Sequence, residues 1–213
     1  IPGTNFDYNY LQHRKVDVVS SALDFILPFE KYKITAGAKV SFTNTRNGIN
    51  YDTSDPTLVQ DDYFRYKEQI YALYADYSRE YSERFSMQLG LRMEHTCTTG
   101  ISEAKDTEDK HDYTRLFPTV YLLYSPTDGH ALNFSFSNRI SRPSQNMVNP
   151  FPFYQNKYTY ACGREDLKPS YTYNAELGYT LKNNFNVSAY YSYSDDVFFQ
   201  VVDLDAETNV TSF

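Results

Sequence analysis

The chain has 213 residues, a formal charge of −7, 22 Tyr, 15 Phe and no Trp. The acidic surplus excludes a partner gripped through its phosphates, so no nucleic acid is expected. No run approaches the roughly 18 consecutive apolar residues of a helical membrane span. The mean hydropathy of −0.61 does not bear on a wall of strands, in which only every second residue meets lipid.

Residues 1–14 hold aromatics without a clean period and read as loop or a frayed strand. Residues 16–27 read as a strand with Val19, Leu23, Phe25 and Leu27 on one face and Asp24 on the other. After a turn at Pro28-Phe29-Glu30, residues 32–43 return. Tyr32, Ile34, Ala36, Ala38, Val40 and Phe42 alternate there with Lys33, Thr35, Gly37, Lys39, Ser41 and Thr43. This period of two is that of a strand with one apolar and one polar face. A polar stretch, 44–65, reads as a long loop. Residues 66–79 form the next strand, with Tyr71, Leu73, Ala75 and Tyr77 opposite Glu68, Tyr74, Asp76 and Ser78.

Tyr81-Ser82-Glu83 is a short turn into 84–96, where Phe85, Met87, Leu89, Leu91 and Met93 alternate with Ser86, Gln88, Gly90, Arg92, Glu94 and Thr96. A second long loop is expected over 97–112. Residues 113–124 read as a strand that is apolar on both faces, with its register open. A turn at Ser125–Gly129 leads to 130–139, where Leu132, Phe134 and Phe136 oppose Asn133, Ser135, Ser137 and Arg139. The longest expected loop, 140–169, carries four of the nine prolines. The strands over 171–181 and 185–193 alternate cleanly about a turn at Lys182-Asn183-Asn184. Residues 197–204 read as the start of one more strand.

These are about nine strands, joined alternately by tight turns and long loops. The predicted strands run to about 10–13 residues, against a mode of about 5–6 in soluble sheets. Tight turns at one end, long loops at the other and tyrosines at strand ends fit an outer-membrane barrel wall. The fold class expected is all-β: an antiparallel up-and-down meander of long strands, one partial barrel domain over 1–213. The other reading kept open is a complete small barrel or a soluble β-sheet that binds or adheres.

Four segments carry a resemblance: Arg139-Ile140-Ser141-Arg142-Pro143-Ser144, Asn149-Pro150-Phe151, Glu165-Asp166-Leu167-Lys168-Pro169 and Ala175-Glu176-Leu177-Gly178-Tyr179. Their order and spacing resemble the barrel of TonB-dependent outer-membrane receptors, most nearly the form common in Bacteroidetes. Tyr66-Lys67-Glu68, Gly90-Leu91-Arg92-Met93-Glu94 and Leu116-Phe117-Pro118 also fit that family's strands. The chain departs from it at Gly163-Arg164-Glu165, where Gly-Asn-Pro is usual, and at Ser170, where an acid is common. The resemblance implies a location in the bacterial outer membrane and energised nutrient uptake. It implies that this chain is a fragment of a longer receptor whose plug and remaining strands lie elsewhere. The partners implied are outer-membrane lipid, the plug domain and the TonB energy-coupling protein of the full-length parent, with a surface lipoprotein as a further candidate. An isolated sheet would also expose edges through which it can self-associate.

No enzyme chemistry is expected: there is no phosphate-binding glycine loop, nucleophile elbow or His-Glu-x-x-His. No cofactor or metal is expected either. His95 and Cys97 share a strand face, but the nearest further ligand, His111, falls in a predicted loop. The acidic run Glu103, Asp106, Glu108 and Asp109 lacks the order of a calcium loop. For Cys97 and Cys162, a disulfide and two free thiols are both open. Lys39, Glu68, Asp76, Arg92, Glu94, Arg139 and Glu176 form the expected lumen-facing polar set. Ligand contacts are expected from aromatics of the long loops: Tyr63, Phe64, Phe151, Phe153, Tyr154, Tyr158 and Tyr160.

Overall fold

The computed structural model describes residues 8–53, 62–103, 106–149, 151–156, 159–164, 166–182, 184–205 and 210–212. Six long strands follow in chain order: β1 (Tyr8–Pro28), β2 (Tyr32–Thr53), β3 (Asp62–Ser82), β4 (Phe85–Ser102), β5 (Thr107–Tyr124) and β6 (His130–Ser141). A short helix α1 (Gln145–Val148) and two short strands, β7 (Phe153–Asn156) and β8 (Thr159–Ala161), come next. Then come β9 (Ser170–Leu181), β10 (Phe185–Asp195), β11 (Asp203–Asp205) and β12 (Val210–Ser212). The main sheet is an eight-stranded antiparallel meander in the order β1-β2-β3-β4-β5-β6-β9-β10. A second sheet of four short strands is ordered β11-β12-β8-β7.

The two faces of the main sheet invert the rule for soluble proteins. On one face Leu73, Leu89, Leu91, Met93, Leu116 and Leu177 stand exposed. On the other, Thr45, Asn47, Glu94, Thr96 and Thr98 are buried. The register makes each face continuous: Ala38 opposes Leu73, Leu73 opposes Met93, and Met93 opposes Leu116 on the outer face. Leu27 to Val19 on β1 and Tyr179 to Tyr173 on β9 extend the same band. Aromatic rings border it at both ends. At the tight-turn end, centroids of Phe29, Tyr32 and Tyr77 follow at 4.5 and 5.8 Å, and those of Tyr81, Phe85 and Tyr124 at 5.5 and 6.4 Å. At the other end Phe42, Tyr71 and His95 follow at 5.9 and 6.3 Å, and Tyr173 stacks on Tyr193 at 6.3 Å.

Packing across the inner face uses small residues where a neighbour must lie flat. Gly37 pairs with Asp24 on one side and Tyr74 on the other. A Cβ at Gly37 would stand 2.6 Å from the Leu23 carbonyl oxygen and from the Tyr74 ring. Without it, Tyr74 crosses β2 and donates its hydroxyl proton to Asp24. The aromatic ring thereby covers the glycine that admits it.

Of the stretch 1–14, read as loop or a frayed strand, the residues from Tyr8 onward are strand. Two expectations about the strands are corrected. The loops expected over 44–65 and 97–112 are largely ladder: β2 runs to Thr53, β3 starts at Asp62, β4 runs to Ser102 and β5 starts at Thr107. Beyond the apolar band both faces meet water or protein, so the polarity contrast vanishes while the hydrogen bonds continue. Residues 197–204 do not add a ninth barrel strand. Asp196 takes a positive φ of 52°, which turns the chain off β10. The Val197–Val202 stretch has no regular structure, and β11 pairs with β12 instead.

On this account Leu91→Arg, in the middle of the outer band, lowers the stability of the membrane-inserted protein by about 2–4 kcal/mol. Refolding titrations in lipid vesicles measure it; a loss below about 0.5 kcal/mol would contradict an outer face in hydrocarbon.

Candidate functional site

β5 carries a proline in the middle of the main sheet, and the site begins there. Pro118 has no N–H to give a neighbouring strand. The β5–β6 ladder stops beside it, at Thr119 opposite Ser137. Past that point Leu116 receives only a long bond from the Asn138 side-chain amide, at 3.5 Å. β6 is free to diverge, and the chain beyond Ser141 turns inward over the polar face. The expected loop 140–169 is thus a folded segment containing α1, β7 and β8.

Arg142 anchors that segment. Its Nη2 donates to Glu94 Oε2 at 2.6 Å and to Thr96 Oγ1 at 3.2 Å. Its Nε lies 3.6 Å from Glu68 Oε2. Arg92 completes the network, its Nε donating to Glu94 Oε1 at 2.6 Å. Its guanidinium also stands 5.5 Å from the centre of the Tyr74 ring. Only 10% of the Glu94 side chain is exposed, against 23% for Arg142. Charges so placed are costly unless paired, so the two ends of the network hold each other in place. Further along the segment, the Ser144 carbonyl accepts from the amides of Met147 and Val148 at 2.9 and 3.3 Å, forming α1. The Gly163 amide donates to the Asn149 carbonyl at 2.9 Å, and Arg164 N to Met147 O at 2.7 Å. A Cβ at Gly163 would meet carbonyl oxygens of Met147, Asn149 and Asn146 at 2.5, 2.6 and 2.7 Å. Only glycine allows this close return.

Two cavities lie between the segment and the inner face. One, of about 360 Å³, is lined by Tyr66, Glu68, Tyr113, Arg115, Arg142 and Tyr171, among others. Arg115 lies 4.7 Å over the Tyr171 ring. The other, of about 670 Å³, lies between Gln12, Asn47 and Ile49 of the first hairpin and Phe151, Phe153 and Phe199. Glu68 and Tyr66 belong to the part of β3 beyond Tyr71, outside the apolar band. Burial pushes the Glu68 carboxyl above its ordinary range; Arg142 pulls it back and Glu94 adds to the rise. Burial, helped by Glu68, pushes the Tyr66 hydroxyl up to about 12.

Of the expected lumen-facing set, Glu68, Arg92 and Glu94 come together around Arg142. Asp76 and Arg139 border a third hollow with Arg92 and Glu94. Lys39 opposes Ala72, and Glu176 opposes Ser135, both on the inner face. Of the expected ligand aromatics, Phe151 and Phe153 share the larger cavity. Phe64 is fully buried on the inner face, and Tyr63 sits on the outer one with Arg65 5.9 Å from its ring. Both belong to β3 and not to a loop. Tyr154 opposes Tyr160 in the small sheet, and Tyr158 lies outside the described residues. Cys97 and Cys162 are both free thiols. Sequence reasoning put Thr96 on the polar face of its strand but missed Arg142, Thr98, Tyr66 and Tyr113 as site residues. The alternation continued past Thr96 would have placed Thr98 on the inner face as well.

A family model for outer membrane protein beta-barrels matches residues 2–213. The chain belongs to the outer membrane protein beta-barrel family. No curated protein is detectably similar in sequence. Among solved structures, the copper transporter OprC superposes with a TM-score of 0.68 at 12% identity, covering 95% of this chain and 34% of that one. The yersiniabactin uptake receptor FyuA of Yersinia pestis gives 0.56 at 17% identity, covering 92% and 31%. The Serratia marcescens hemophore receptor HasR gives 0.58 at 12%, covering 94% and 36%. The chain therefore spans about a third of these proteins and has the fold of the barrel region of TonB-dependent receptors. It is an outer-membrane chain whose sheet has one apolar and one polar face. From Phe85 to His95 a strand rises about 33 Å. At a tilt near 45° this projects to about 24 Å, close to the roughly 25 Å apolar belt of such barrels.

Removing the anchor with Arg142→Ala is expected to speed amide exchange at Met147, Val148, Gly163 and Arg164 by tenfold or more, leaving β3 and β4 unchanged. Unaltered exchange in the segment would contradict the anchoring role. A carboxyl whose folded pKa exceeds its unfolded one favours folding below the unfolded value, near 4.5 for glutamate. That advantage is lost as pH rises through the folded value. Glu68→Gln is therefore expected to flatten the loss of stability as pH rises above about 4.5. An unchanged pH profile would show that Glu68 is not shifted upward.

Proposed function

We propose that this chain is one stretch of the barrel wall of a TonB-dependent receptor, and that the whole receptor takes up a scarce nutrient by energised transport. The observation that carries the reading is the inverted sheet, with leucines exposed and Glu94, Asn47 and threonines buried. A soluble binding module would bury the Leu89–Met93 row, and here that row is open. The chain's span of about a third of the solved receptors supports a larger barrel. So do the edges of the sheet, since β1 and β10 each have one partner in it. In a whole barrel further strands would pair with both edges, as closure requires.

The role of the segment after Ser141 follows from its position. It covers the lumen side at the long-loop end, held by Arg142 while resting on β2 through Asn47 and Ile49. Ligand would enter at that end, against Phe151 and Phe153, whose rings suit stacking on a sugar, a siderophore or a peptide. Tyr154, Tyr158 and Tyr160 are further candidates for ligand contact. Lys39, Asp76, Arg139 and Glu176 would face the plug domain, with the TonB protein acting on the plug from the periplasm. Lipid surrounds the wall, and a surface lipoprotein would sit over the loops. This is transport, not catalysis.

In cells that depend on the whole receptor for a limiting nutrient, uptake is expected to stop when TonB is deleted. Replacing Phe151 and Phe153 together by Ala should weaken ligand binding about tenfold or more without loss of receptor from the membrane. Uptake that persists without TonB would contradict the reading.

A further inference from the structure

The outer face of the wall carries a polar cluster just beyond the apolar band. β4 places His95 and Cys97 two residues apart on that face, and the β4–β5 register sets Cys97 opposite Asp112 and His95 opposite Thr114. One ligand atom from each of His95, Cys97 and Asp112 lies within 4.8 Å of the other two. We propose that these three side chains bind a divalent transition-metal ion of the zinc type at the outer rim of the barrel.

The separations fit a coordination sphere. Cys97 Sγ lies 3.3 Å from His95 Nε2, His95 Nε2 lies 3.4 Å from Asp112 Oδ1, and Cys97 Sγ lies 3.9 Å from Asp112 Oδ2. Ligands at about 2.0–2.3 Å from a tetrahedral zinc ion are separated by about 3.3–3.6 Å. Thiolate, imidazole and carboxylate together favour zinc or cobalt over magnesium or calcium, which take oxygen ligands. The histidine is also oriented for the task. Its Nδ1 meets Thr114 Oγ1 at 2.9 Å. With Nδ1–H donating there, Nε2 presents its lone pair to the other two ligands, the usual outer support of a metal-bound imidazole. The same arrangement argues against a cysteine nucleophile. Such a triad sets the carboxylate on the nitrogen remote from the thiol, and Asp112 instead approaches the nitrogen that faces Cys97. Three protein ligands leave a fourth position for water or a lipid headgroup oxygen. His95 and Asp112 have 38% and 67% of their side chains exposed, so an ion has access from solvent. The sequence reading expected no metal because the third ligand was sought in a loop; the strand extension supplies Asp112.

Titrating Co²⁺ into the membrane-inserted protein in detergent tests the site. The expected result is saturable binding of one equivalent, with a near-ultraviolet thiolate-to-cobalt absorption band that Zn²⁺ abolishes. The band should vanish in Cys97→Ser and persist in Cys162→Ser. His95→Gln and Asp112→Asn should each weaken affinity at least tenfold, and Thr114→Val about tenfold through the orientation of the ring. If Cys97→Ser fails to insert, the other variants decide the matter, since none of them alters the apolar band. No saturable band in the unaltered protein, or a band that survives Cys97→Ser or is indifferent to His95→Gln and Asp112→Asn, would overturn the proposal.

Discussion

Hydrocarbon offers the peptide backbone no hydrogen-bond partner. Each N–H and C=O that crosses it must be paired within the protein, at a cost of several kcal/mol for each one left over. The long, nearly uninterrupted ladders of the main sheet follow from this requirement. So does the inversion of its faces. Once the backbone is paired, the side chains facing lipid must be apolar, and those facing the lumen are released from that demand. The Leu89–Met93 row and the buried Glu94 and Thr96 are two consequences of one constraint, on alternate residues of one strand.

Above the band the constraint lapses, and the chain uses the freedom. The hairpins continue as polar ladders, with Asp17 and Arg46 paired on the outside at 2.6 Å and Asn47 and Ile49 buried inside. Pro118, opposite Leu91 within the band, withholds one backbone donor, and there β6 parts from β5. The divergence allows residues 142–169 to return over the lumen side. A half-buried arginine then fixes their position against two acids on neighbouring strands. Because breaking the pair leaves the buried Glu94 with an uncompensated charge, Arg142 acts as a specific latch for the segment that lines the two cavities beside it.

The band was fully legible in the sequence. Alternation from Phe85 to Met93 and from Tyr171 to Leu181 gave faces and tight turns that the structure reproduces. What hydropathy could not show was any strand with two polar faces. Residues 44–53 and 97–102 look like loop to a rule based on contrast, and only cross-strand pairing reveals them as ladder. The register of β5 was equally hidden, because Phe117 and Pro118 are both apolar, although one faces the lumen and the other lipid. The candidate site suffered more. Arg142 was visible only as part of an Arg-Pro-Ser turn, and its partners come from strands about 50 residues earlier. Asp112 gained meaning when Cys97 was placed opposite it. Phe64, read as a loop aromatic free to meet ligand, is instead packed against Gly100.

The central claim is that alternate residues of β4 meet hydrocarbon and lumen. Spin labels placed singly at residues 86–93 of the membrane-inserted receptor, with collision rates for oxygen and for a water-soluble nickel chelate, test it most directly. The account predicts high oxygen and low nickel accessibility at 87, 89, 91 and 93, and lower oxygen accessibility at 86, 88, 90 and 92, a strict period of two. Uniform accessibility along the strand, or oxygen preference at the even positions, would contradict it.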